Sequence, residues 1–313
     1  MSVFVNRNLL QITAQGENSF YGHLAILARY CNLNVKPWLN GYLQHGWNGC
    51  DGFSNYAGSK RISKKFIWST RALQDQIKRG GRNSFVIGAP WLYILKMNGL
   101  LDADPASNSS KTIAYPLHSQ PWAPKNYQHL DYANYLLAEY GKVTVCLHWS
   151  EYSNSEITKT YQDKGHEVVT NGVGTAWLKG FDVDFLNKQQ ELLRKHGRFV
   201  TNAMQTSVLY AMSLGLTIEF GGPASWVKKI DEVGTYGEYG QDYWQNKVLK
   251  DPENTWKTEL GFSELLNPDD LKKLLGWDKG NKASLKFAFT RAIDLLRDGS
   301  FVEKLSYFTK GRK

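Results

Sequence analysis

RFVTNAMQTSVLYAMSLGLTIEFGGP, running from Arg198 to Pro223, is the stretch on which the fold is decided. An apolar run at 199–201 is followed by a polar turn at 202–205. A helical pattern then opens at Thr206 and Ser207 and is stopped by Gly215, and a second apolar run at 216–220 ends in Gly221, Gly222 and Pro223. Strand, helix and strand at this spacing predict a compact βαβ unit with parallel strands. Two adjacent hydroxyls at a helix start can cap its orphan amides. They can also join those amides in donating to a phosphate, which the helix dipole favours. Thr206 and Ser207, with Asn202 before them and Gly221 and Gly222 after the next strand, are therefore candidate anion-binding residues, and ordinary helix capping is the alternative.

The same alternation extends towards the N-terminus. Apolar runs at 112–115, 143–147 and 167–170 end in the loops PLHSQPWAP, HWSEY and NGVG, and helical patterns at 127–140, 155–164 and 184–196 are each closed by a glycine. Helices stopped by glycine and followed directly by apolar runs predict a doubly wound sheet. Further upstream, a helix at 19–30, strands at 38–44, 66–69 and 84–87 and a helix at 70–78 predict a second α/β unit. Between the two lies LDADPASNSSK, residues 101–111, which reads as a linker. The expected architecture is α/β, with two Rossmann-like domains facing a cleft: an acceptor domain over residues 1–108 and a nucleotide-binding domain over 109–313. After Pro223 the strands stop, and helices are expected at 225–232, 241–249, 268–275 and 283–297.

Composition limits what such a chain can do. At 313 residues, 42% hydrophobic and 21% charged, it can bury two cores and carries no disorder signature. Its three cysteines are odd in number and lack CxxC spacing, which argues against a disulfide framework or a zinc site and fits a reducing cytoplasm. No apolar run approaches the ~20 residues of a membrane span. The first residues, MSVFVNRNLLQ, lack the basic and apolar regions of a signal peptide. The expected location is cytoplasmic, with peripheral contact at an inner-membrane surface as an extension. A net charge of +9 calls for an anionic partner. The basic clusters at Lys60, Arg61, Lys64 and Lys65, at Lys78, Arg79 and Arg82, and at Lys310–Lys313 come with no nucleic-acid motif, so nucleic acid is not the expected partner. An anionic lipid surface is one; a solvated basic face is the plainer reading.

In open parallel sheets, ligands sit beyond the carboxyl ends of the strands. Those ends carry His118 and Ser119, then His148, Ser150 and Glu151, then Asn202, Thr206 and Ser207. If their strands are neighbours, the groups converge on one crevice suited to a nucleotide phosphate. In the first unit His45 follows a strand, flanked by Gln44, Gly46 and Trp47. A neutral imidazole there can deprotonate a hydroxyl and Trp47 can stack on a sugar face, while capping of its own loop is the alternative for His45. There is no GxxxxGK[ST], GxSxG, HExxH or GxGxxG. The DxD pairs Asp102/Asp104 and Asp182/Asp184 fall in the linker and at a helix start, so neither a metal nor a cofactor is expected.

Taken together, the QHGW loop, YPLHS and TNAMQTSVLYAMSLG within two Rossmann-like halves resemble the GT-B glycosyltransferases of bacterial surface-polysaccharide synthesis. The capsule and lipopolysaccharide enzymes that use CMP-activated ulosonic acids, of sialic-acid or Kdo type, are the most similar. The resemblance implies a nucleotide-sugar donor, a glycan acceptor that can be lipid-linked, and phosphate contacts from His118–Ser119 and Thr206–Ser207. In that family the histidine is followed by proline; here Pro116 precedes His118. No DEG-type or EEG-type triplet stands in the first unit to supply the base. A His-Gly pair like His45–Gly46 occurs in the acceptor half of polyglycerol-phosphate transferases, which makes His45 the expected base. Two other readings stay open: a nucleotide-sugar 2-epimerase using Glu151 and Glu219, and a non-catalytic carbohydrate-binding subunit rich in its 11 tryptophans.

Overall fold

Two all-parallel sheets organise the computed structural model, which describes residues 15–34, 37–53, 61–101, 109–118, 129–175, 180–223, 239–279 and 284–297. The first holds β1 (Tyr42–Leu43), β2 (Lys65–Ile67) and β3 (Ser84–Val86) in chain order, with Tyr42 paired to Lys65 and Lys65 to Ser84. The second holds β4 (Thr112–Ala114), β5 (Thr144–Cys146), β6 (Glu167–Val169), β7 (Arg198–Thr201) and β8 (Thr217–Phe220) in the spatial order β6-β5-β4-β7-β8. The chain begins this sheet at its centre, winds outward to β6, then crosses back to β7. The winding direction therefore reverses between β4 and β7, and the crevice of a doubly wound sheet opens at such a point. This is the α/β architecture expected from the sequence.

Helices α1 (His23–Tyr30), α2 (Thr70–Lys78) and α3 (Pro90–Met97) belong to the first sheet. Ser69 caps α2 by accepting from the Ala72 amide, so that the helix starts where the sequence says. The sequence reading placed a strand at 84–87 with no helix after it and so missed α3. Its residues Pro90–Leu95 are all buried, which leaves no polar face to show a helical period. Around the second sheet lie α4 (His129–Tyr140), α5 (Trp149–Tyr152), α6 (Ser155–Gln162), α7 (Phe185–Leu193) and α8 (Thr206–Ser213). Gly215 (φ +78°) closes α8 in a left-handed conformation that favours glycine.

Beyond Pro223 come α9 (Gly240–Lys250), α10 (Pro252–Leu260), α11 (Pro268–Leu275) and α12 (Leu285–Arg297). The helix expected at 225–232, Ser119 and most of the linker lie outside the described residues. These terminal helices join both sheets. The Leu260 carbonyl accepts from the Ala89 amide at 2.8 Å, and α12 returns to the first sheet. There Phe287 packs edge-on against Tyr42, and Asp294 accepts from the Ile62 amide at 2.7 Å and from Ser63 Oγ at 2.6 Å.

One apolar core runs between the sheets. Trp91 of α3 stacks on Tyr210 of α8 with centroids 4.3 Å apart and planes 11° apart, and its Nε1 donates to Ser213 Oγ at 2.8 Å. Both rings are buried, so the contact between the lobes is of the interior kind and resists wide opening. Cys31, Cys50 and Cys146 are buried and form no disulfide with one another.

Candidate functional site

The carboxyl ends of β1 and β7 face each other, and His45 stands at the first of them. Its turn is locked by Gln44, whose Oε1 accepts from the Trp68 amide at 2.8 Å and whose Nε2 donates to the Gly46 carbonyl at 3.0 Å. Two aromatic rings wall the imidazole: Phe20 lies edge-on at 4.4 Å and Tyr21 at 5.0 Å. Both come from a 3-10 turn, Phe20–Gly22, in which Tyr21 itself has a left-handed φ of +54°. The second lobe holds that strained turn in place. The Tyr21 amide donates to the Gly174 carbonyl at 2.8 Å, and a Cβ on Gly174 would lie 2.4 Å from the Tyr21 ring. Burial pushes His45 down to about 4; Glu17 opposes the shift and His118 adds to it. At neutral pH the ring is uncharged and able to take a proton.

His118 follows β4 and stacks on His148, which follows the neighbouring β5, with centroids 4.4 Å apart and planes 19° apart. Burial pushes His148 down to about 3, and His118 adds to it. His148 also caps α5, its Nδ1 lying 2.7 Å from Ser150 Oγ and accepting from the Ser150 amide at 3.4 Å. Ser150 is exposed, whereas Glu151 is 2% exposed and faces His129 Nε2 at 3.7 Å.

On the other side of the reversal, Asn202 Oδ1 accepts from the Leu117 amide at 2.9 Å, and Gln205 Nε2 donates to the Tyr115 carbonyl and Thr201 Oγ1, each at 2.9 Å. These side chains stitch the β7 turn to the β4 loop. Because Gln205 is spent there, α8 has no side-chain N-cap. The first amides of a helix have no partner within it, and the Ser207 hydroxyl, in a residue 7% exposed, meets no hydrogen-bond partner among the described residues. Thr206 Oγ1 accepts from the Trp47 amide at 2.9 Å, which brings the His45 loop against the mouth of α8.

Trp47 itself is not a sugar platform. Its ring is buried, its Nε1 donates to Glu259 Oε2 at 2.8 Å, and it packs T-shaped with Trp244, centroids 5.1 Å apart. The fully enclosed Glu259 carboxylate also receives Arg71 Nε at 2.8 Å and Lys247 Nζ at 3.4 Å. The sequence reading missed this knot: its members are up to 212 residues apart, and α10, which carries Glu259, lacked a recognised start. Gly221 and Gly222 have a packing role. A Cβ on Gly221 would lie 1.9 Å from Tyr135 Oη, and one on Gly222 2.5 Å from the Tyr132 ring. Glu219, on β8, pairs with Arg198 at 2.8 Å and accepts from Tyr140 Oη at 2.8 Å. Glu151 follows β5, three strand spacings from β8, or about 14 Å across the sheet, so these carboxylates do not form a pair. Among the described residues no group of three or more His, Cys, Asp or Glu is placed to hold a metal ion.

No protein-family model matches the sequence, and no curated protein matches it. Among solved structures the chain is similar to MnaA of S. aureus in its co-structure with UDP, at 18% identity over 89% of this chain and 80% of that one, with a TM-score of 0.40. It is also similar to the UDP-GlcNAc 2-epimerase of Neisseria meningitidis bound to UDP-GlcNAc, at 14% identity over 69% and 60% of the two chains, TM-score 0.31. A third neighbour is the wall teichoic acid polymerase TagF, at 15% identity over 79% and 61%, TM-score 0.32. These are distant neighbours, and the reading of the site rests on its own residues.

Proposed function

We propose that this chain is a glycosyltransferase that moves a sugar from a nucleotide-activated donor to a glycan acceptor in bacterial polysaccharide synthesis. One observation supports the reading: Thr206 Oγ1 accepts from the Trp47 amide at 2.9 Å, which sets the loop carrying His45 against the start of α8, a helix without a side-chain cap. In this mechanism the donor phosphate lies on the first amides of α8 and the hydroxyls of Thr206 and Ser207, with His118 and His148 beside the nucleoside. The acceptor hydroxyl enters from the side of the first sheet, and neutral His45 takes its proton as the bond to the sugar forms. The charge growing on the leaving phosphate is met by fixed N–H and O–H dipoles, without a divalent cation. The acceptor is a glycan that can be lipid-linked.

The resemblance to CMP-ulosonic-acid transferases favours CMP, whereas the S. aureus and N. meningitidis neighbours were solved with UDP or UDP-GlcNAc. A thermal-shift series with CMP, CDP, UDP and GDP tests the site, because a ligand of the native state alone raises its melting point. One of the four should stabilise, and a flat series removes the nucleotide reading. Release of free nucleotide only when glycan is supplied marks transfer; a change in donor stereochemistry without acceptor would point to the epimerase instead.

A further inference from the structure

On the first lobe, α12 buries one face and leaves the other bare. Phe287, Ala288, Arg291 and Asp294 are turned inward, each at most 7% exposed, while Leu285 (67%), Phe289 (69%) and Leu296 (67%) face outward. At 3.6 residues per turn these three project within about 40° of one another, which makes a continuous apolar ridge. Single exposed leucines are ordinary, but three large side chains in register along one helix are not.

The ridge ends at a basic turn. Ile62 donates its amide to Asp294 of α12 at 2.7 Å and accepts from Asn83 Nδ2 at 2.8 Å, so the end of α12 adjoins the turn that precedes β3. Beside that turn Ile77 is 63% exposed, and Lys64, Lys78, Arg79 and Arg82 are exposed with it. Asp75 pairs with Arg71 and, at 3.6 Å, with Lys78 of the border itself, so the border's charge rests on Lys64, Arg79 and Arg82; the other nearby acids are engaged elsewhere, Glu17 with Arg291 and Arg61 and Asp294 with Ser63. This surface lies at the amino ends of the first sheet's strands, whereas His45 lies beyond their carboxyl ends, so the cleft does not use it.

We infer that the α12 ridge and its basic border dock the protein on an anionic phospholipid bilayer. Apolar side chains enter the acyl boundary while lysine and arginine remain among acidic headgroups, the pattern of an interfacial helix. A second copy of this chain is a poorer occupant, because a parallel two-fold contact of ridge on ridge sets one basic border against the other and an antiparallel one gives neither border an acidic partner. The net charge of +9 favours the bilayer in the same way. This docking does not depend on the proposed reaction.

Co-sedimentation with vesicles tests it. Vesicles of equal parts phosphatidylcholine and phosphatidylglycerol should pellet the protein, raised salt should release it, and phosphatidylcholine alone should not bind. Leu285→Ser with Phe289→Ser and Leu296→Ser should weaken binding about tenfold or more, and Arg79→Glu with Arg82→Glu should do the same. All five positions are exposed, and an unchanged melting point checks that each variant is folded. Equal binding to both vesicle types, or a triple variant that binds as well as the parent, overturns the proposal. So does a dimer in solution that the triple variant breaks while vesicle binding is absent. A flat nucleotide series with intact vesicle binding would remove the transferase reading and leave the docking surface standing.

Discussion

Trp47 and Thr206, 159 residues apart, are joined by a hydrogen bond of 2.9 Å from the amide of the first to Oγ1 of the second. The bond links the loop after β1 to the first turn of α8, and therefore the two halves of the chain at their facing strand ends. It also uses a lone pair of the Thr206 hydroxyl, whose proton remains available to an anion.

The two hydroxyls of this turn should separate by experiment. Thr206→Val keeps the side-chain shape but strands the Trp47 amide, at a cost of about 1–3 kcal/mol in a urea melt. Ser207→Ala removes a hydroxyl with no hydrogen-bond partner among the described residues, so stability should hold or rise slightly while nucleotide affinity falls about tenfold. Titration of the stabilising nucleotide into the alanine variant checks this, and unchanged affinity would remove Ser207 from the phosphate site.

The buried imidazoles fix a pH dependence. His45 and His148 are held near 4 and 3, and burial takes His23 to about 3 and His129 to about 4. In the unfolded chain each takes up a proton near pH 6.5. Below that pH the unfolded state binds more protons than the native one, so stability is complete above about 6.5 and is lost steadily as pH falls towards the native values. Melting points recorded from pH 8 down to 4 should decline from about 6.5, and kcat/KM should show no acid limb at 6.5. A flat melting profile would mean that these rings are hydrated.

Gly174→Ala probes the wall of the His45 pocket. The new methyl group would lie 2.4 Å from the Tyr21 ring, so that turn must shift, at about 1–3 kcal/mol. Because Tyr21 contacts His45, turnover should fall further than donor affinity, which kcat and nucleotide titration resolve.

Glu259→Gln removes the charge that neutralises Arg71 and Lys247 behind Trp47. A loss of about 2–4 kcal/mol is expected, seen in denaturant melts, with the Trp47 fluorescence environment altered. A variant as stable as the parent would show that water replaces the carboxylate.

Much of this was open to reading from local chemistry. Ser69 before α2, Asn267 before α11 and Gly215 after α8 are signals that act within a few residues, and helices 70–78 and 268–275 fall where those signals put them. The alternation of apolar runs and helices likewise announces parallel sheets. By contrast α3 and α10 went unread, the first because it is buried all round and the second because only Asp251 and Pro252 announce it. Trp47 could be read as an exposed platform because its sequence neighbours are glycine and asparagine; its burial depends on Glu259 and Trp244.

What the sequence determined alone, then, is the set of elements and the residue types at strand ends, since propensity, capping and turn chemistry are short-range. Strand order β6-β5-β4-β7-β8 was decided by the packed structure, and with it the placing of His118 beside His148, of Asn202 beside Leu117, and of Thr206 opposite Trp47. Those relations arise when separate apolar faces are buried against one another, and only the folded chain fixes which faces meet.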